Sequence, residues 1–352
     1  MVGNFFKFAV LVDLVVTALG ASTSQKYVFK PEKEVNFQNT HVPSLINLTD
    51  SQYAVPTGSS WWMSSFITST LGKQYLAISH VMTTSKNICR SSVLDLQTLK
   101  YWVHLVYCPS VGTKAYDKSG PLDADFDTYG FGSTTEDSIS NMYTYANTNA
   151  SFSFNISWAA TSKPVLNGGS GVIAFGPGPA NATEWAIPAG KTTGNLKLDG
   201  KEVTIDTKNS FTWYDRQMSF GGPRNWTWFE VNFPGSEVKA SIWAYDLGLP
   251  DNTTYQFATI RLGDSQLVLA YELVPDMSNT WVSPNTHLVY PLSWKLKFDN
   301  GDYLTIKSVR PDQEMYGPEE LVDSAYTGFI TASGKFFGQT HGFGVVELVS
   351  VY

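Results

Sequence analysis

The stretch FTWYDRQMSFGGPRNWTWFEVNF, residues 211–233, sets an acid, a base and an amide among large aromatic rings. Asp215 is the group best placed for proton transfer. A carboxyl flanked by Trp213 and Tyr214 is partly desolvated, and desolvation raises its pKa toward that of a proton donor. Arg216 and the Tyr214 hydroxyl are hydrogen-bond donors able to polarise a substrate heteroatom. Strand alternation places Trp213, Asp215 and Gln217 on one face and Tyr214 and Arg216 on the other. The alternative role for Asp215 is structural, an ion pair or a turn cap.

Rings elsewhere are candidates to line an apolar cavity. Trp61 and Trp62 in SSWWMSSF lie on opposite faces of one strand, one facing core and the other a pocket. Trp226 and Trp228 share a face with Glu230 that is expected to point into a barrel, provided Asn225 already lies on the strand. Trp243, Tyr245 and Trp281 are further candidates, each with plain core packing as the alternative. His287, in THLVYPLSW, is a titratable group in an apolar stretch, with a hydrogen-bonded structural histidine as the alternative.

Other chemistries lack residues to carry them. The five histidines are scattered with no i, i+4 pair. AFGPGPA (174–180) reads as a turn rather than a phosphate loop, and no G-x-S-x-G elbow occurs. The reading is therefore of no metal and no cofactor, with catalysis by acid–base groups and positioning. Net charge is −7, and no basic run marks a nucleic-acid footprint.

The elements that must position these groups read as short strands. Of the 352 residues, 16% are charged and 14% aromatic, against about 25% charged in an ordinary domain. Alternating runs such as SFSFNISWAA, TWFEVNF, VKASIWAYD and QLVLAYEL are bounded by turn residues. Asp199-Gly200 and Asn300-Gly301 are hairpin signals. Helical signals are few; PEELVDSAY (318–326) is the main one. The chain reads as all-β, built as barrels or sandwiches. The Gly221-Gly222-Pro223 turn joins two runs expected to be neighbours.

The first 20 residues have signal-peptide anatomy, Lys7 followed by an apolar run too short to span a bilayer. Six sequons follow, at Asn47, Asn149, Asn155, Asn181, Asn225 and Asn252, which is the pattern of a secreted glycoprotein. Cys89 and Cys108 are the two cysteines, and in an oxidising compartment they are expected to join. If Asn149 and Asn155 carry glycans, Phe152, Phe154, Ile156 and Trp158 point inward. No membrane anchor is expected after cleavage.

At TWYDRQ, NWTWFEV and SIWAYD the sequence resembles the lipocalin-like proteins that include hydroxyneurosporene synthase, kievitone hydratase and the secreted fungal hetero-Diels–Alderases. Supporting stretches are residues 184–217 and HGFGVVELV (341–349), and the likeness runs from about Trp61 onward. The resemblance implies two calycin-type β domains, read as residues 21–222 and 223–352, with an apolar ligand between or within them. It implies an acid at Asp215. Met218-Ser219 stands where the family commonly has Trp-Gly, which removes a ring near that acid and suits a reshaped pocket. Two activities follow from the likeness: a cofactor-free cyclase of hetero-Diels–Alder type on a polyketide or terpenoid, or a hydro-lyase adding water to an isoprenoid double bond. A non-catalytic carrier of apolar metabolites is the third reading. The expected partner is an apolar small molecule, and the chain is a monomer or homodimer.

Overall fold

The computed structural model describes residues 26–33, 37, 42–56, 58–148, 151–248, 253–317 and 324–350. The leader, the sequons at Asn149 and Asn252, and most of the helix expected over 318–326 lie outside them. The last two residues of that helix, Ala325 and Tyr326, instead open a strand, Ala325–Phe336.

The architecture is all-β, with four single-turn 3-10 segments among the described residues. A 13-stranded sheet uses strands between Ser59 and Ser219, and a nine-stranded sheet uses strands between Asn225 and Ser350. The second sheet closes into a barrel, because Tyr303–Ser308 pairs with both Ser293–Phe298 and Ala325–Phe336. The first sheet curls without closing its hydrogen-bonded ring: its path ends at Tyr101–Tyr107 on one side and Asp123–Asp125 on the other.

Local sequence accounts for much of this. In Phe152–Ala159 the odd and even residues separate cleanly: Phe152, Phe154, Ile156 and Trp158 are buried while Asn155 is exposed. Asp199 and Gly200 both take positive φ, 49° and 77°, and turn Asn181–Leu198 back into Lys201–Thr204. Two consecutive left-handed residues make the tight hairpin whose twist matches the flanking strands. At Asn300-Gly301 a second hairpin joins Ser293–Phe298 to Tyr303–Ser308.

Three apolar clusters hold the layers. One fills the curl of the first sheet, with Trp61, Trp158, Trp185 and Tyr214. Another fills the closed barrel, with Phe229, Ile242, Trp294 and Phe336. The third lies between the two sheets and takes residues from both, including Trp62, Phe66, Trp213, Trp228, Trp243, Phe329 and Phe343. Each large ring buried there contributes roughly 1.5–3 kcal/mol, so the sheets are joined by an apolar interface. A disulfide, Cys89–Cys108, ties Ile88–Asp95 to the end of its hairpin partner Tyr101–Tyr107.

The strands flanking the Gly-Gly-Pro turn are not neighbours in a sheet. Phe211–Ser219 pairs with Ser59–Thr68 and Asn181–Leu198, whereas Asn225–Asn232 pairs with Val238–Asp246 and Gln339–Ser350. The turn carries the chain from one sheet to the other. Trp226, Trp228 and Glu230 accordingly face the first sheet rather than the barrel interior, which belongs to Phe229 and Val231.

Candidate active site

Antiparallel register lines up the polar groups between the sheets. In the first sheet Asp215 pairs with Trp62, Trp62 with His80, and His80 with Arg90, forming one row across four strands. In the second sheet Trp243 pairs with Trp228 and Trp228 with Glu347. The two rows face each other, with the Trp62 and Trp228 rings edge to face at 5.5 Å. Around them lies a cavity of about 250 Å³, lined by Trp62, Trp226, Trp228, Trp243 and Phe175, with Asp215, Gln217, Ser60, His80 and Glu347 among its polar groups.

Asp215 is only 7% exposed, and its Oδ2 has no hydrogen-bond partner among the described residues. Burial, the largest influence, pushes its pKa up to about 8; the Trp213 indole N–H pulls down, the nearby Glu347 carboxylate pushes up and Arg216 pulls down. Trp213 leans toward Asp215 without closing a hydrogen bond. At neutral pH the acid is therefore largely protonated, in the form that donates a proton. Two further buried carboxyls surround it. Glu184 accepts a hydrogen bond from Asn167 Nδ2 at 2.8 Å, and both burial and Asp215 raise its pKa. Burial likewise raises Glu230 well above the ordinary range, with Ser64 lowering it and Asp215 adding to the rise.

One charge in the cavity is fully compensated. Glu347 accepts from Arg90 Nη2 on one oxygen and from Trp226 Nε1, at 3.0 Å, on the other. Arg90 Nε donates to His80 Nδ1 at 2.8 Å, and His80 Nε2 lies 2.7 Å from Ser60 Oγ. Burial and the Arg90 charge hold the His80 pKa well below its ordinary value, so the imidazole is neutral. The result is a cavity with aromatic walls, a protonated acid and a paired anion. Such a site has the chemistry to hold an apolar molecule and to pass a proton to it.

Of the residues singled out from sequence, Asp215, Gln217, Trp62, Trp226, Trp228 and Trp243 come together on this cavity. Trp61, as its parity requires, points the other way and donates to Gln52 O at 3.1 Å. Trp213 packs in the same interlayer, 6.4 Å from Trp228, but does not line the cavity. Tyr245 sits behind Phe175, rings 5.5 Å apart, with its hydroxyl donating to Ala174 O.

Four expectations are corrected. Tyr214 and Arg216 face the interior of the first sheet, the far side of their strand. Tyr214 donates to Gln52 Oε1 at 2.6 Å. Arg216, fully buried against Trp61, donates to the carbonyls of Gln52, Tyr53 and Ser60. With further bonds to Gln217 O and Ser59 Oγ, its guanidinium is consumed in tying the buried Gln52–Tyr53 segment to the first sheet, so it cannot polarise a ligand in the cavity. Trp281 stacks on Tyr290 at 6.0 Å beside the closed barrel. His287 is exposed in a turn, with φ of 61°.

His80, Ser60 and Glu347 are cavity residues that sequence reasoning missed. Glu347 is the single acid in HGFGVVELV, and His80 the single titratable group in LAISHVM; an isolated polar residue in an apolar strand was the available signal.

The AttH-like family model matches residues 83–351. The chain is 36% identical over 344 residues to kievitone hydratase of Fusarium solani subsp. phaseoli, covering 96% of this chain and 95% of that protein. It is 33% identical over 344 residues to dehydratase asqC of Emericella nidulans, covering 95% and 97%. The crystal structure of kievitone hydratase from Nectria haematococca matches with a TM-score of 0.85 at 35% identity, over 92% of this chain and 98% of that one.

Proposed function

The chain belongs to the AttH-like family, and from that footing we propose that it is a hydro-lyase acting on an apolar secondary metabolite in the cavity between its sheets. It is an enzyme of the hydratase, dehydratase or cyclase kind, as its relatives are named hydratase and dehydratase. The observation that carries the finer reading is Asp215: a carboxyl held protonated to about pH 8 in a cavity walled by tryptophans.

In dehydration the Asp215 O–H protonates the substrate hydroxyl. The C–O bond breaks with both electrons leaving on oxygen, water departs, and a carbocation remains. Tryptophan faces stabilise such a cation, and the Glu347 carboxylate adds a compensating field. The Asp215 carboxylate then takes a proton from the adjacent carbon, whose C–H electrons form the double bond, and the acid is regenerated. Hydration is the same path reversed. General acid–base work of this kind contributes about 10²–10⁴-fold.

Ring formation of hetero-Diels–Alder type is the second reading. Four tryptophans from two sheets enclose one cavity, and holding diene and dienophile in a reactive pose lowers a barrier by about 7–11 kcal/mol. Asp215 would then generate the diene by the same loss of water. Comparing metabolites with and without the gene identifies the substrate, and its turnover in deuterated, oxygen-labelled water separates the readings. A hydratase leaves solvent hydrogen and oxygen in its product. A dehydratase yields an uncyclised alkene and, run in reverse, exchanges label into its substrate. A cyclised product with neither label nor exchange contradicts the hydro-lyase reading.

We further propose that the protein travels the secretory pathway. Support comes from the leader anatomy, from the Cys89–Cys108 bond and from the exposure of Asn47, Asn155 and Asn181, with Asn225 half-buried. Enzymatic removal of N-glycans from the secreted protein should lower its mass; an unchanged mass contradicts the glycosylation.

A further inference from the structure

Ser60 and His80 form a serine–histidine pair on the cavity wall, and their neighbours decide which way its proton points. An arginine Nε is a donor only. Because Arg90 Nε donates to His80 Nδ1 at 2.8 Å, that nitrogen is the acceptor and the neutral ring carries its proton on Nε2. Nε2–H then donates to Ser60 Oγ at 2.7 Å. The opposite assignment would set an Nδ1–H head-on against the Arg90 Nε–H. Arg90 is held in turn by Glu347, and Glu347 by Trp226. With its oxygen already accepting, Ser60 must aim its own O–H elsewhere, and no hydrogen bond from it to a described residue is formed.

We propose that Ser60 is a substrate-recognition residue, donating its hydroxyl proton to an oxygen atom of the substrate, and that Glu347, Arg90 and His80 are the positioning residues that fix this direction. The pair is therefore not a nucleophile and its base, since Nε2 has no free lone pair to receive the serine proton. Ser60 precedes Trp62 by two residues on its strand, and Trp62 pairs with Asp215. Two residues of strand separate the serine and the acid by roughly 7 Å. The fitting substrate is apolar, with a hydroxyl, ether or carbonyl oxygen at about that distance from the carbon that reacts at Asp215. The reacting end of this description rests on the hydro-lyase reading; the oxygen contact does not.

Binding can be measured without turnover, from quenching of the cavity tryptophans by three probes: para-prenylphenol, its methyl ether, and prenylbenzene, which lacks the oxygen. Ser60→Ala should weaken the phenol and the ether by about 3- to 10-fold, the value of one hydrogen bond, and leave prenylbenzene unchanged. His80→Phe should shrink the same contrast by freeing the serine rotor. Equal weakening for all three probes, or no weakening for any, overturns the proposal, as does labelling of Ser60 by a fluorophosphonate. Thermal unfolding of Ser60→Ala close to wild type guards against a folding defect. An active Asp215→Asn variant would remove the hydro-lyase reading and leave the probe contrast to decide on Ser60.

Discussion

Asp215 differs from most surface aspartates in one respect: water has been replaced around it by indole rings and by other buried carboxyls. Ionising it would add a charge beside Glu347 in an apolar layer, which is why its proton stays on up to about pH 8. Two predictions follow from that proton. Asp215→Asn should lower kcat by about 10²–10⁴-fold while ligand quenching of the tryptophans persists; activity within a few-fold of wild type would exclude Asp215 as the acid. The second concerns stability. In the unfolded chain this carboxyl ionises near its ordinary value of 3.8, and in the folded chain near 8. Between those values the folded state binds more protons, so stability falls as pH rises through the window. Asp215→Asn removes that loss, and its melting temperature should decline less than that of the wild type between about pH 4 and about pH 8. Parallel curves for the two proteins would contradict the raised pKa.

At the scale of the strand, Phe211–Ser219 serves two layers at once. Its odd residues Trp213 and Asp215 face the second sheet, and its even residues Tyr214 and Arg216 face the first sheet's own core. Adjacent charged residues should therefore give opposite phenotypes. Arg216→Met would take the charged donor from the buried carbonyl of Tyr53 and leave that of Gln52 with Trp61 alone, and an unsatisfied buried acceptor costs about 1–3 kcal/mol. Its effect should be a fall in unfolding free energy of about 1–3 kcal/mol, with kcat per folded molecule near wild type. A stable variant with lost kcat would place Arg216 in the chemistry after all. The disulfide acts on the hairpin of Ile88–Asp95 and Tyr101–Tyr107. Replacing Cys89 and Cys108 with alanine should cost about 3 kcal/mol through loop entropy, read by denaturant unfolding; an unchanged midpoint would show that the hairpin gains nothing from the bond.

Neither sheet alone makes the cavity. Asp215, Trp62, His80 and Ser60 come from the first, and Trp226, Trp228, Trp243 and Glu347 from the second. This explains what could be read from sequence and what could not. Strand parity is local, so the shared face of Trp213, Asp215 and Gln217 was legible, as were the inward rings of Phe152–Ala159 and the two hairpins. Which strands meet is not local. Ser59–Thr68 pairs with a strand about 150 residues later, and no alternation pattern encodes that partner. Hence Arg216 was assigned to the cavity by nearness in sequence, while His80 and Glu347, brought there by register alone, were passed over. His287 and Trp281 show the converse: a polar or aromatic residue in an apolar stretch is uninformative until its sheet is known. The central claim is that the meeting of the sheets keeps the Asp215 carboxyl protonated, and difference infrared spectroscopy of wild type against Asp215→Asn tests it without any substrate. The carbonyl stretch of one protonated carboxyl should distinguish wild type at neutral pH and vanish with a midpoint near pH 8. A band that is absent at neutral pH, having titrated near the ordinary carboxyl value, would contradict the account.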